Sequence, residues 1–546
     1  MIKLILEILF CSVTLSIIAQ EKPNIILIMA DDLGYGDVGF NGNTIIKTPH
    51  MDAMANSHLK LTHFYAGAPV CSPTRGTCLT GRHAYRYGIF AANEGHLPAQ
   101  EVTIAKLLKQ NGYITGHFGK WHIGTLDPNF SSKGDARDPE ANFAPPWQRD
   151  YDESFVTESS VSTWDPLSTS VPYYDNGVIT TDNLEGDDSR VMMDRVVPFI
   201  ENAVSNKKPF LSVIWFHAPH EPFVAGPDYK AMYPGYTEDE KNYYGCITAM
   251  DDQIGRLQAK LEELNIDDNT IIFFCSDNGP EGKELDDGTL TKPGVTGGLR
   301  GRKRSVYRGG TGVPAFIIWP GKTDTPSVSE YTCSTLDYLP TIIDALGISM
   351  PDERPLDGIS LLPMLDALET ERPQALPFMH KSKAYWIDGD LKFITKNNWD
   401  VNEVYNLKDD PFETTNIKSQ HSNKVAEVQK QIEDWNISCY ISHSGGDYDT
   451  PFTPVALWEG IPQATAIWSP KNINCTIYPN PATDYISLQS LSHVMEVKIF
   501  NAQGQLVSTI KDPKHRISVV NLKTGHYILK ATTKKNEVAV NSFLLK

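Results

Sequence analysis

Three stretches of the chain are apolar almost without a break: Asn24–Ala30 (NIILIMA), Phe210–Phe216 (FLSVIWF) and Thr270–Ser276 (TIIFFCS). Strands buried on both faces read this way, because a parallel sheet is covered by helices above and below. Segments of helical spacing lie between them. VTIAKLLKQNGY sets its apolar residues three and four apart and ends at Asn111-Gly112, a pair suited to a helix C-terminus. QIGRLQAKLEELN repeats the spacing. This alternation predicts an α/β fold, with a large mixed, mostly parallel sheet sandwiched by helices. Residues Leu126–Asp188 lack periodicity and are rich in Asp, Ser, Pro and aromatics. They are expected to form long loops near a binding face.

The pattern changes after Pro351. AYWIDGDLKFITKN and VNEVYNLKDDPFETTNI alternate as antiparallel strands, and NKVAEVQKQIEDW reads as one helix. A smaller α+β subdomain is expected over 351–465. Residues 473–546 hold short alternating strands with turns between them, which predicts a small β-sandwich. The large α/β domain then spans 21–350. Residues 1–20, MIKLILEILFCSVTLSIIAQ, read as a secretory signal peptide: Lys3 precedes an apolar run, and small or polar residues follow. No later apolar stretch approaches the ~20 residues that span a bilayer, so no integral membrane segment is expected.

The net charge of −18 repels nucleic acid and anionic membranes, and neither is an expected partner. Against that background GLRGRKRSVYRGG concentrates Arg300, Arg302, Lys303, Arg304 and Arg308. A solvated loop is one reading. The other, favoured in so acidic a chain, is an anion-binding loop whose glycines let the backbone come close. Cysteines are sparse and scattered, so they build no disulfide framework, although one or two bridges fit the count. Cys71 and Cys78 stand seven apart in VCSPTRGTCLTGR, where Pro73 and Gly76 suggest a loop. A disulfide, two metal ligands, a nucleophile and some other fate all remain open from the residues alone.

Polar clusters follow the expected strands. Asp31-Asp32 follows Ala30, Asp277-Asn278 follows Ser276, Lys120-Trp121-His122 follows YITGHFG, and His217 and His220 follow Phe216. Parallel strands would gather all four at one sheet edge, where α/β sheets bind ligands. An Asp pair after a strand can also be a helix cap. Two such pairs at matching ends favour a cation. Asp31, Asp32, Asp277 and Asn278 are hard oxygen donors, the set that suits Ca²⁺ or Mg²⁺ better than zinc.

With these motifs in place, the chain resembles the formylglycine-dependent sulfatases of the alkaline phosphatase superfamily. The resemblance rests on PNIILIMADDLGYGDVG, TPHMDAMA, APVCSPTRGTCLTGR, GHFGKWHIG, FHAPHEPF, FCSDNGP and GLRGRKRSVYRGGTGVP, in order from Pro23 to Asp410. It implies that a formylglycine-generating maturation enzyme oxidises Cys71 to formylglycine (3-oxoalanine), supported by Arg75. It implies calcium held by Asp31, Asp32, Asp277, Asn278 and the modified Cys71. Lys120, His122 and Lys303 match residues that hold the sulfate or the hydrate, and His220 matches a histidine near the leaving oxygen. His217 competes with His220 for that acid role. Cys78 is then a packing residue. The chain departs from many relatives at Arg308, where they carry Glu, and at Gly312, where they carry Arg.

The C-terminal YPNPATDYISL and VKIFNAQGQLV resemble the sorting domain of bacterial type IX secretion substrates. Together these resemblances imply a secreted or cell-surface bacterial sulfatase whose substrate is a sulfated carbohydrate, such as ulvan, carrageenan, fucoidan or glycosaminoglycan fragments. A phosphodiesterase or phosphonate hydrolase using the same aldehyde, and a non-catalytic sugar-binding protein, are the competing readings.

Overall fold

The structure is a computed structural model. It describes residues 22–460 except 286–287, 397–398, 449 and 451, and residues 476–546 except 490–493, 503–504, 512, 514–515 and 534–537. The expected signal peptide and the junction before 476 lie outside the described residues.

Ten strands form the central sheet: β1 (Asn24–Ala30), β2 (Leu59–Leu61), β3 (Ile114–Lys120), β4 (Glu153–Thr157), β5 (Tyr173–Asp175), β6 (Val178–Thr180), β7 (Phe210–Trp215), β8 (Thr270–Ser276), β9 (Ala315–Ile318) and β10 (Ser327–Ser329). Their order is β10-β2-β9-β8-β1-β7-β3-β4-β5-β6. The centre is parallel, since β1 pairs in parallel with both β7 and β8, and β3 with both β7 and β4. The β9 strand and the β5–β6 hairpin run antiparallel to their neighbours, so the sheet is mixed as expected.

The continuous apolar runs have a direct structural meaning. Ile25, Leu27 and Met29 of β1 enter one hydrophobic core, and Ile26 and Ile28 enter another on the opposite face. The second core includes Val191 and Met192 of the Asp188–Ser205 helix and Ile247, Met250 and Ile254 of the Glu238–Glu263 helix. The first takes in Cys78, Leu79, Tyr338 and Leu339. Truncating a side chain such as Leu27 to Ala in so closed a layer costs about 2–5 kcal/mol.

The Leu126–Asp188 region is more ordered than its sequence suggests, because β4, β5 and β6 lie within it. The hairpin is short and half polar, and β6 is an exposed edge, so no apolar period marks it. Beyond it, an antiparallel sheet of Leu376–His380, Lys383–Asp388, Leu391–Thr395 and Val401–Asn406 packs on the Ser422–His443 helix through Phe393, Val404, Val428, Ile432 and Trp435. Phe378, Tyr385 and Ile387 share a core with Tyr65 and Leu336 of the large domain. Residues 476–546 form a three-stranded and a four-stranded sheet around Ile486, Val497, Leu529 and Phe543.

Candidate active site

The parallel centre of the sheet sets the site. Ala30 pairs with Ser276, Met29 with Trp215, and Gly119 with Trp215, so four strands end level. Asp31 and Asp32 therefore emerge beside Asp277 and Asn278, with Lys120 and His122 one strand beyond β7. The Asp277 amide donates to the Ala30 carbonyl at 3.0 Å, and the Asp32 amide to Asp277 Oδ1 at 3.1 Å.

Cys71 reaches this edge from a helix, not from the loop expected for VCSPTRGTCLTGR. The helix spans Cys71–Thr80. Pro73 lies in its first turn, where a missing N–H costs no helical hydrogen bond. Thr74 Oγ1 ties the entry by accepting from the Ala68 amide at 3.0 Å, and Gly81 ends the helix at φ 66°. All six cysteines among the described residues are free and buried, so Cys71 and Cys78 form no disulfide. Cys78 sits in the core as a packing residue.

Cys71 Sγ lies 3.5 Å from Asp31 Oδ1. Lys120 Nζ donates to Asp31 Oδ2 at 2.6 Å, Lys303 Nζ to Asp32 at 2.7 Å, and Arg75 Nη2 to Asp277 Oδ2 at 2.7 Å. All seven side chains are almost wholly buried. Burial would raise the Asp31 carboxyl, but Lys120, His220, Arg75 and Lys303 together hold it well below the ordinary range. Burial, then the Asp31 charge, pushes Asp277 up. Burial, then Asp277, pushes the Cys71 thiol up to about 12, so the encoded side chain is a neutral thiol at pH 7.

The histidines differ in the nitrogen they leave available. His122 Nε2 faces Asn93 Oδ1 at 2.7 Å, and its buried Nδ1 has no hydrogen-bond partner among the described residues. Burial, reinforced by Lys120, Lys133, Arg75 and Arg137, holds its ring well below the ordinary pKa and therefore neutral. His220 donates Nδ1–H to the Glu221 carbonyl at 2.6 Å, leaving Nε2 3.6 Å from Asp32 Oδ2. His217 is not a competitor for the acid role. Its Nδ1 binds Asp188 at 2.8 Å and its Nε2 meets Thr157 Oγ1 at 2.7 Å, and it is fully buried.

The basic loop divides its labour, correcting the expectation that the whole segment faces an anion. Lys303 enters the site. Arg300 bonds Tyr405 and the Glu413 carbonyl, Arg302 the Glu281 carbonyl, and Arg308 the carbonyls of Pro411 and Thr62. Its glycines approach backbone: a Cβ on Gly309 would stand 2.0 Å from the Gly301 carbonyl oxygen. Sequence reasoning missed Asn93, which fixes His122, and Ser160, whose Oγ donates to Asp31 Oδ2 at 3.2 Å. Both lie in stretches without periodicity, so no sequence signal marked them.

Donor atoms of Asp31, Asp32, Cys71 and His220 lie within 4.8 Å of one another. Asp277 and Asn278 adjoin this cluster: Asp277 turns to Arg75, and Asn278 Nδ2 donates to Asp32 Oδ1 at 2.6 Å. Asn278 Oδ1 is buried without a partner among the described residues, an oxygen such a site would use for a cation. Asp31, Asp32 and Asp277 are balanced by Arg75, Lys120 and Lys303, so a divalent ion would leave the site positive. The donor set and this charge balance fit a hard cation and an anionic ligand.

The sulfatase family profile matches residues 23–348, the profile described as N-sulphoglucosamine sulphohydrolase, C-terminal, matches 301–437, and that described as secretion system C-terminal sorting domain matches 476–546. N-acetylgalactosamine-6-sulfatase of Canis lupus familiaris is 30% identical over 378 residues, covering 65% of this chain and 68% of the relative. Arylsulfatase A of Bos taurus is 30% identical over 370 residues, covering 64% and 68%. The crystal structure of Ps i-CgsB in complex with k-i-k-neocarrahexaose is 27% identical at a TM-score of 0.66, covering 76% of this chain and 92% of that one.

Proposed function

We propose, from the premise that this chain belongs to the sulfatase family, that it is an exported enzyme removing sulfate from sulfated carbohydrate by means of an aldehyde made from Cys71 and a calcium ion. Membership makes it a sulfuric ester hydrolase. The observation that carries the rest is the meeting of Cys71 with Arg75, Lys120 and Lys303 across a buried carboxylate cluster. Support for a carbohydrate substrate comes from the relative named N-acetylgalactosamine-6-sulfatase and the solved structure holding k-i-k-neocarrahexaose. Support for export comes from the sorting-domain match, with type IX secretion machinery as the partner, and from the signal-like first twenty residues.

Asp31, Asp32, Asp277 and Asn278 would hold the ion beside position 71. Together the ion and the aldehyde hydrate would supply an ionisable hydroxyl in place of a neutral thiol. Lys120, Lys303 and Arg75 stabilise negative charge on the sulfate oxygens, and burial strengthens each contact. His220 keeps Nδ1–H on the Glu221 carbonyl, so Nε2 is the nitrogen that would carry a second proton to the leaving oxygen, on a charged ring that burial disfavours and Asp31 and Asp32 favour. His122 holds an unprotonated Nδ1 that accepts a proton when the sulfate departs.

The test is a parallel assay of the native protein on an aryl sulfate and an aryl phosphodiester. A large preference for the sulfate is expected. A large preference for phosphorus, or no turnover of either, would overturn the proposal.

A further inference from the structure

Lys133, on the rim of the site, forms no ion pair among the described residues, and its side chain is exposed. Segment Ser131–Lys133 is stitched to the residues that follow β4. Ser131 Oγ donates to Glu158 Oε1 at 2.8 Å, the Ser132 amide to Glu158 Oε2 at 2.7 Å, and Ser132 Oγ meets Ser159 Oγ at 2.8 Å. The same short run touches the centre: the His122 amide donates to the Glu158 carbonyl at 3.1 Å, and Ser160 Oγ donates to Asp31. Lys133 is thus fastened at the mouth, and Lys120, Glu158 and Cys71 are close enough to act on its charge.

Four other cations around the site have carboxylate partners. Lys120 pairs with Asp31, Lys303 with Asp32, Arg304 with Glu281 at 2.7 Å, and Lys292 with Glu221. Glu158, the carboxylate that anchors the Ser131–Lys133 segment, is taken by Ser131, Ser132 and Arg137. Among the described residues no group accepts from Lys133 Nζ, and the side chain is exposed. In a chain of net charge −18, an ammonium without a partner, backed by Arg137 and Lys120, has its counter-charge elsewhere.

We infer that Lys133 receives a second anionic group of the substrate, a further sulfate or a carboxylate on the sugar whose sulfate ester enters at Cys71. This rests on the proposed sulfatase reading and narrows it to polyanionic carbohydrate. Lys133 acts in specificity: it touches the sugar's second charge and takes no part in the bond that breaks. A charge-assisted contact at a partly exposed rim shifts selectivity by roughly tenfold.

The experiment uses the matured full chain with a monosulfated hexose, the same hexose with a second sulfate, and the monosulfate linked to a uronic acid. The wild-type ratio of kcat/KM, dianionic over monoanionic, should fall about tenfold in Lys133→Ala and recover in Lys133→Arg. The arm that responds, sulfate or carboxylate, identifies the group. A parallel titration follows binding of both dianionic sugars to Cys71→Ala and to the Cys71→Ala, Lys133→Ala double variant. Weaker binding by the double variant supports the subsite even if native protein turns over no sulfate ester, a result that would sink the hydrolase reading alone. An unchanged ratio with unchanged binding overturns the role of Lys133. So does an equal loss on all three sugars.

Discussion

His220 and His122 stand on opposite sides of the proton balance. His220 is fixed by the Glu221 carbonyl and has only Nε2 to offer, whereas His122 is held neutral with a free Nδ1. If His220 protonates the leaving oxygen, His220→Ala should slow an alkyl or sugar sulfate by ~10²–10⁴-fold and a nitrophenyl sulfate far less, because nitrophenolate leaves unaided. Steady-state rates across leaving groups of graded acidity check this, and a uniform loss would contradict the assignment. The residues that follow β1, β7 and β8 were legible in the sequence because each ends an apolar run, and Lys120 and His122 because they stand at the end of YITGHFG. Asn93, Ser160 and Lys133 were not, since loops set by side-chain hydrogen bonds leave no period. His217 misled by proximity alone: it lies closer in sequence to β7 than His220 does, but its partners Asp188 and Thr157 come from distant segments.

The Cys71–Thr80 helix shows how an element can hide behind its punctuation. Pro73 and Gly76 suggested a loop, yet a first-turn proline is harmless, and Gly76 is small because a Cβ there would meet the Tyr87 hydroxyl at 2.6 Å. The strands of the sheet were legible for the opposite reason, since burial on both faces leaves a continuous apolar run. The segment after the helix is anchored from the C-terminal subdomain. Arg86 makes two 2.6 Å bonds to Asp357 and further bonds to Ser438 and Ser442 of the long helix, all buried. Removing one side of a buried pair strands the other charge, so Arg86→Met should cost ~3–5 kcal/mol. Urea unfolding with an unchanged m-value would register it. A loss below about 1 kcal/mol would show that the anchor is dispensable.

Across the whole molecule, stability should depend on pH through buried histidines. Burial pushes His380 and His443 down to about 4, and both are neutral in the fold. The unfolded chain binds these protons from about pH 6.5 downward, and the fold binds them only near 4. Their contribution to stability is therefore full above pH 6.5 and lost as pH falls towards 4, by about 1 kcal/mol for each histidine at pH 5.5. Raised carboxyls such as Asp37 and Asp187 act in the opposite sense, so the test is a difference: between pH 7.5 and 5.5 the thermal midpoint of His443→Gln should fall less, or rise more, than that of the native chain. An identical shift in the two proteins would contradict this. At the same scale, the sheet is a platform that gathers residues from Asp31 to Lys303 around one side chain, Cys71. The central claim is that this cysteine works as an aldehyde. Mass spectrometry of the Cys71 peptide from protein purified out of its native host tests it most directly: the account predicts the aldehyde or its hydrate, and an intact thiol in catalytically active protein would contradict it.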